Sequence, residues 1–166
     1  MTTSSGTSST TGPRPISILK CLTCGASNRI APSPRGVPHC GTCGKPLPWL
    51  VNADESTFEV ETRADPTVVV DLWAPWCGPC RFVGPILEEL SRELAGRLKV
   101  VKVNVDENQE LALRYDARSI PTILVMSNGK VVDRIVGAFS KPDLSARLAL
   151  HLKPTRAGSN AAAVKD

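Results

Sequence analysis

Hydrophobic side chains are spread unevenly along the 166 residues: from 51 to 152 long apolar runs alternate with amphipathic stretches, and the flanks are small and polar. Thr67-Val-Val-Val-Asp-Leu-Trp73 is an almost unbroken β-branched and apolar run, the pattern of a central strand covered on both faces. Beyond it Phe82, Ile86, Leu90 and Leu94 recur every fourth residue, joined by Val83 and Leu87, which predicts an amphipathic helix closing near Gly96. Leu98 to Val105 predicts a second strand, and a helical crossover between two strands makes them parallel in a right-handed βαβ unit. A short helix is expected at Gln109 to Tyr115. Thr122 to Met126 and Val131 to Val136 flank Ser127-Asn-Gly-Lys130, where Asn-Gly supplies the positive φ angles of a tight antiparallel hairpin. Ser140 as N-cap, Pro142 in the first turn, and Leu144, Leu148 and Leu152 on one face predict a closing helix. The sum is an α/β domain, a mixed central sheet flanked by helices, with no internal repeat.

The flanks divide differently. Residues 1–15 are rich in Ser, Thr, Gly and Pro and lack apolar groups to offset ordering entropy, so a disordered arm is expected, and 153–166 reads as a disordered tail. Residues 16–50 are dense in Pro, Gly and Cys and hold too few apolar groups to fold without a staple. Residues 51–152 form the α/β domain. No stretch approaches the length of a membrane span, since the best candidate, Thr67 to Trp76, is short and broken by Asp71 and Pro75. The N-terminal segment has neither the basic start and apolar run of an export signal nor an amphipathic organelle-targeting helix, which leads us to expect a cytoplasmic setting. The net charge of +4 is scattered and disfavours nucleic acid as a partner.

Six cysteines in a chain with no sign of export direct attention to metal or redox chemistry. Trp76-Cys77-Gly78-Pro79-Cys80 sits at the junction of the buried strand and the helix. Zinc ligation and a structural disulfide are open to any Cys-x2-Cys pair, but the strand and helix on its two sides favour a redox dithiol. There Cys77 meets the unpaired N–H groups and positive dipole end of the helix, which stabilise a thiolate, and Cys80 lies one turn inside. Cys77 is therefore the expected attacking sulfur and Cys80 the resolving one. Pro79 is tolerated in a first turn, and Gly78 lets a partner backbone approach.

Cys21-Leu-Thr-Cys24 and Cys40-Gly-Thr-Cys43 are two such pairs separated by fifteen residues, within the zinc-ribbon pattern. Gly25 and Gly44 follow the second cysteine of each pair, as in knuckles that aim two thiolates at one point. Four thiolates would close a tetrahedral shell around one structural Zn²⁺ per chain. Two disulfides or a second redox pair are the competing assignments. His39 adjoins Cys40 but is not needed as a ligand. Arg29, Arg35, His39 and Lys45 could touch phosphate, yet no aromatic lies between the knuckles to stack on a base. A bound Zn²⁺ on four thiolates lowers the net +4 to about +2, weakening the case for an anionic partner further.

Asp71-Leu-Trp-Ala-Pro-Trp-Cys-Gly-Pro-Cys80, Lys102-Val-Asn-Val-Asp106, Ser119-Ile-Pro-Thr122 and Val136-Gly-Ala138 follow in the order and spacing of the thioredoxin family, which the chain resembles from about Phe58 to Leu152. With a zinc ribbon ahead of it, the whole resembles the zinc-containing second type found in bacteria. The resemblance implies the thioredoxin fold with a small N-terminal zinc ribbon, and a protein-disulfide reductase without a bound organic cofactor. It implies that Asp71 is a buried aspartate below the dithiol that relays a proton to or from Cys80, its pKa raised by the apolar run, and that Lys102 neighbours it. It also implies that Pro121 after Ile120 is a cis-proline presenting backbone to a substrate, and that Trp76 and Gly137 lie on the docking surface. Pro85 corresponds to a kink in the helix. Expected partners are disulfide-containing client proteins and a flavin- and NADPH-dependent thioredoxin reductase, with the chain itself a monomer. The alternatives are a disulfide oxidase or isomerase, and a zinc-dependent redox-sensing holdase.

Overall fold

A computed structural model describes residues 16–31 and 36–154. The expected arm at 1–15, most of the expected tail, and Arg35 lie outside the described residues. Two short strands, β1 (Ser17–Lys20) and β2 (Ser27–Ile30), pair antiparallel as a separate sheet. The remaining elements are β3 (Trp49–Asn52), α1 (Phe58–Thr62), β4 (Thr67–Trp73), α2 (Gly78–Glu93), β5 (Leu98–Asn104), α3 (Gln109–Arg114), β6 (Thr122–Ser127), β7 (Lys130–Val136) and α4 (Lys141–Ala149). They build one five-stranded sheet in the order β3-β5-β4-β6-β7.

The strands join as their connections require. β4 and β5, linked by α2, are parallel, and β6 and β7, linked by a two-residue turn, are antiparallel. In that turn Asn128 and Gly129 take φ of 52° and 76°. Four elements have no counterpart in the sequence pattern, β1, β2, β3 and α1, because four- and five-residue pieces show no readable periodicity. β3 pairs parallel with β5 across residues 50 and 51, where composition puts the division between the cysteine-rich unit and the α/β domain.

Strand alternation sorts the side chains into two layers. Val68, Val70, Leu72, Val101 and Val103 pack with Phe58 and Leu111 on one face. Val69 and Val100 pack with Val83, Leu87, Leu90, Leu144 and Leu148 on the other. In α2 it is Val83, Leu87 and Leu90 that face the sheet. Phe82, expected on the core stripe, is exposed, because it stands 100° around the helix from Val83.

The same alternation turns Lys99 to the α1 face, where its ammonium is buried, ion-paired with buried Glu61 and 4.0 Å from the Trp49 ring centroid. Burial pushes the Lys99 pKa down against the pull of Glu61. The pair joins α1, β5 and β3, where the chain enters the sheet.

The cysteine-rich unit rests on the α/β domain. Leu19 packs into both cores, the Gly36 N–H donates to Asp65 Oδ2 at 2.8 Å, and Pro46 and Val37 lie against Gly96. Asp65 and Gly96 precede β4 and β5, so these contacts lie at the end of the sheet opposite Cys77, about 20 Å of strand away.

Removing one member of a buried ion pair strands the other charge. Glu61→Leu or Lys99→Met alone is expected to cost about 3–5 kcal/mol, and Glu61→Leu with Lys99→Met much less. Urea unfolding of the three variants checks this, and equal losses in singles and double would contradict it.

Candidate functional site

β4 ends at Trp73, and four residues later Cys77 serves as the N-cap of α2. Its extended backbone turns the chain into the helix, and its Sγ accepts the Cys80 N–H at 3.2 Å. Pro79 occupies the first turn, where no N–H is needed. Cys77 and Cys80 are joined in a disulfide with Cα atoms 5.3 Å apart. Both residues sit low, 3% and 4% exposed, so accessibility does not separate them. What does is the helix terminus at the Cys77 sulfur.

Around this pair the structure gathers the remaining predicted residues. The Ile120–Pro121 bond is cis, and the Ile120 carbonyl oxygen lies 3.7 Å from Cys77 Sγ. Gly137, at φ 99°, donates its N–H to the Pro121 carbonyl at 2.9 Å, which brings the β7–α4 loop beside the proline. Gly78 and Pro79 are exposed. Trp76 is 69% exposed, its indole N–H directed to both Asp106 carboxylate oxygens at 3.2 and 3.1 Å. Asp106 was not singled out from sequence, since nothing local marks an aspartate as the partner of an indole thirty residues earlier.

Asp71 is 1% exposed and lies opposite Lys102 in the β4–β5 register. Both face α2 and line a cavity of about 240 Å³ together with Cys80, Gly84 and Glu88. Asp71 Oδ1 has no hydrogen-bond partner among the described residues. Burial raises its pKa to about 6, and the Lys102 ammonium only partly offsets this. Lys102 is half-buried, its Nζ 5.1 Å from the Trp73 ring centroid. The arrangement is an ionisable group poised near neutral pH beside the inner sulfur.

The other four cysteines form a second centre. Each pair caps a tight loop with the same bonds: Gly25 N–H to Cys21 carbonyl and Cys21 N–H to Ala26 carbonyl in one, Gly44 to Cys40 and Cys40 to Lys45 in the other. The loops are flanked by the β1–β2 pairing and by the His39–Pro46 bridge, and Gly25 and Gly44 have φ of 74° and 71°. All four sulfurs lie within 4.8 Å of one another, with Cys21–Cys43 and Cys24–Cys40 at 3.5 Å. Four sulfurs about 2.3 Å from a tetrahedral Zn²⁺ would stand about 3.8 Å apart, whereas a disulfide needs about 2.05 Å. The donor set fits a metal ion.

Backbone N–H groups of Cys43 and Thr42 hold the Cys40 thiol down at about 6, and the Cys24 N–H lowers that of Cys21. Asn28, missed from sequence, ties the knuckles together: its Nδ2 donates to the Ala26 carbonyl at 3.0 Å and its Oδ1 accepts the Gly41 N–H at 2.9 Å. His39 is outside the cluster, its Nδ1 2.7 Å from the Val37 carbonyl oxygen.

Comparison with known proteins bears on the α/β part of the chain. The family model described as thioredoxin matches residues 49–149. "Thioredoxin 1" of a Nostoc strain is 50% identical over 99 residues, 59% of this chain and 92% of that protein. "Thioredoxin" of Bacillus subtilis is 47% identical over 103 residues, 62% of this chain and 98% of the relative. The family match begins at the first residue of β3 and leaves the cysteine cluster outside it.

A carboxylic acid whose folded pKa is raised binds its proton more tightly folded than unfolded, so stability falls as pH rises through that interval. For Asp71, between 3.8 and about 6, the loss amounts to ~3 kcal/mol above pH 6. Asp71→Asn is therefore expected to stabilise the protein by about that much at pH 8 and by little below pH 4. Urea midpoints across pH test it, and a pH-independent difference would contradict it.

Proposed function

The chain belongs to the thioredoxin family, thiol–disulfide oxidoreductases that reduce protein disulfides, and on that premise we propose how its own residues carry the reaction. The carrying observation is the Cys77 sulfur held at the N-terminus of α2 with the Cys80 N–H aimed at it. In the reduced protein that terminus favours the Cys77 thiolate. The client's backbone lies along Ile120, Pro121 and Gly137, with Trp76, Gly78 and Pro79 forming the rest of the rim. The Cys77 thiolate attacks one sulfur of the client disulfide, and that S–S bond breaks as a Cys77–client bond forms. The departing client sulfur leaves as a thiolate.

Resolution follows from the second sulfur. With a pKa of about 6, Asp71 is mostly ionised at neutral pH and serves as the base for the Cys80 thiol across the cavity they share. Lys102 keeps that carboxylate from being pushed higher still. The Cys80 thiolate attacks Cys77 Sγ, the intramolecular disulfide closes, and the second client thiolate leaves and takes up a proton. Two electrons pass from the dithiol to the client. Thioredoxin reductase, drawing on NADPH through its flavin, returns the disulfide to the dithiol.

Cys21, Cys24, Cys40 and Cys43 would hold one Zn²⁺, which supplies cross-linking and no open coordination position. Asn28 and the paired backbone bonds orient the knuckles around it. Unpaired thiolate ligands persist in a reducing compartment, which supports an intracellular site of action.

Reduction of insulin disulfides tests the dithiol. Cys77→Ser is expected to abolish turnover and to form no client adduct, whereas Cys80→Ser accumulates a mixed disulfide visible by mass spectrometry. Adduct formation by Cys77→Ser would reverse the two roles.

Metal analysis tests the second centre. One zinc per wild-type chain is expected, lost in Cys40→Ser together with a lower Tm, while insulin reduction persists. A metal-free wild-type protein would exclude the zinc assignment.

A further inference from the structure

We propose that Phe82 selects among client disulfides: it extends the docking face by one helical turn and receives an apolar side chain flanking the disulfide that Cys77 attacks. This rests on the reductase reading above. The starting observation is a mismatch between pattern and packing. Periodicity groups Phe82 with Ile86 and Leu90, yet Phe82 is 59% exposed while Leu90 is buried. A phenyl ring left in water forgoes the stabilisation that burial would give. Isolated exposed apolar residues are ordinary, and Leu113 and Leu150 are two on this chain. Phe82 is not isolated in that sense, because Gly78 and Pro79 in the first turn of the same helix, and Trp76 just before that helix, are exposed as well.

The position follows from helix geometry. Residues 78 and 82 are one turn apart, so Phe82 stands over Gly78 about 6 Å further along α2. Cys77 is almost buried, so a partner disulfide reaches it only if the partner's surface seats on the surrounding rim. A specific interface covers about 800 Å² on each side, a disc of about 16 Å radius, and a partner centred on Cys77 therefore covers Phe82. Arg81, the charged residue next to it, has its guanidinium turned back to donate to the Pro75 carbonyl at 3.0 Å. A buried aromatic near the middle of an interface is where binding energy concentrates. An apolar client side chain fits there, whereas a charged one would lose water without gaining a partner.

The test uses the full chain, two disulfide-linked peptides that differ only in Leu or Asp beside the cysteine, and 5,5′-dithiobis(2-nitrobenzoate) as a small disulfide. Phe82→Ser is expected to raise KM for the Leu peptide about tenfold, with kcat, the Asp peptide and the small disulfide within about twofold. Phe82→Leu restores most of the loss. Equal KM for the two peptides with wild-type protein, or an equal loss on all three substrates, overturns the proposal. So does a wild-type dimer in sedimentation that Phe82→Ser dissociates, since the occupant is then a second copy. Wild-type protein that leaves even the small disulfide intact sinks the reductase reading, a result distinct from these.

Discussion

Strand β4 has no solvent-facing side, and the site depends on that. It pairs along both edges, with β5 parallel and β6 antiparallel, and six of its seven residues are buried. Parallel pairing to β5 demands a crossover, and α2 supplies it almost as soon as β4 ends. The first turn of α2, with its unpaired N–H groups, is thereby placed at the carboxyl end of a buried strand. Cys77 occupies the cap of that turn, where the Cys80 N–H points at its sulfur. Pro121 and Gly137 arrive because β6 runs antiparallel beside β4 and β7 beside β6.

The domain buries charge in two places and treats it oppositely. Lys99 and Glu61 form a closed pair, with the Trp49 ring against the ammonium, so neither charge is left uncompensated. Asp71, on the other face of the sheet, has an oxygen with no partner among the described residues and a raised pKa. Paired charges hold elements in place. An unpaired carboxyl is costly to stability, and the same burial raises its pKa to about 6.

The cysteine cluster belongs to a unit too poor in apolar groups to stand alone, and its contacts with the domain lie at the far end of the sheet from the dithiol. Four sulfurs converging through two matched loops act as the missing core of that unit. The separation keeps the four-sulfur cluster and the Cys77–Cys80 pair apart, without direct contact between the two sets.

Much of this was legible locally. β4, α2, β5, the β6–β7 hairpin and α4 each carry a pattern of period or turn chemistry within their own residues, and spacing alone divided six cysteines into four and two. β1, β2, β3 and α1 were not legible because they are too short to show a period, and Phe82 and Ile86 share a helical spacing although the sheet covers the face centred on Val83 and Leu87. Whether Lys99 is buried against Glu61, whether Trp76 reaches Asp106, and where the cysteine unit rests all depend on segments tens of residues apart. The amino-acid sequence by itself determined the longer elements and the two cysteine sets, since these follow from neighbours along the chain. Only the tertiary structure decided which charges are paired, which aromatics face water and what the carboxyl below the dithiol meets, because desolvation is set by distant surfaces packing together.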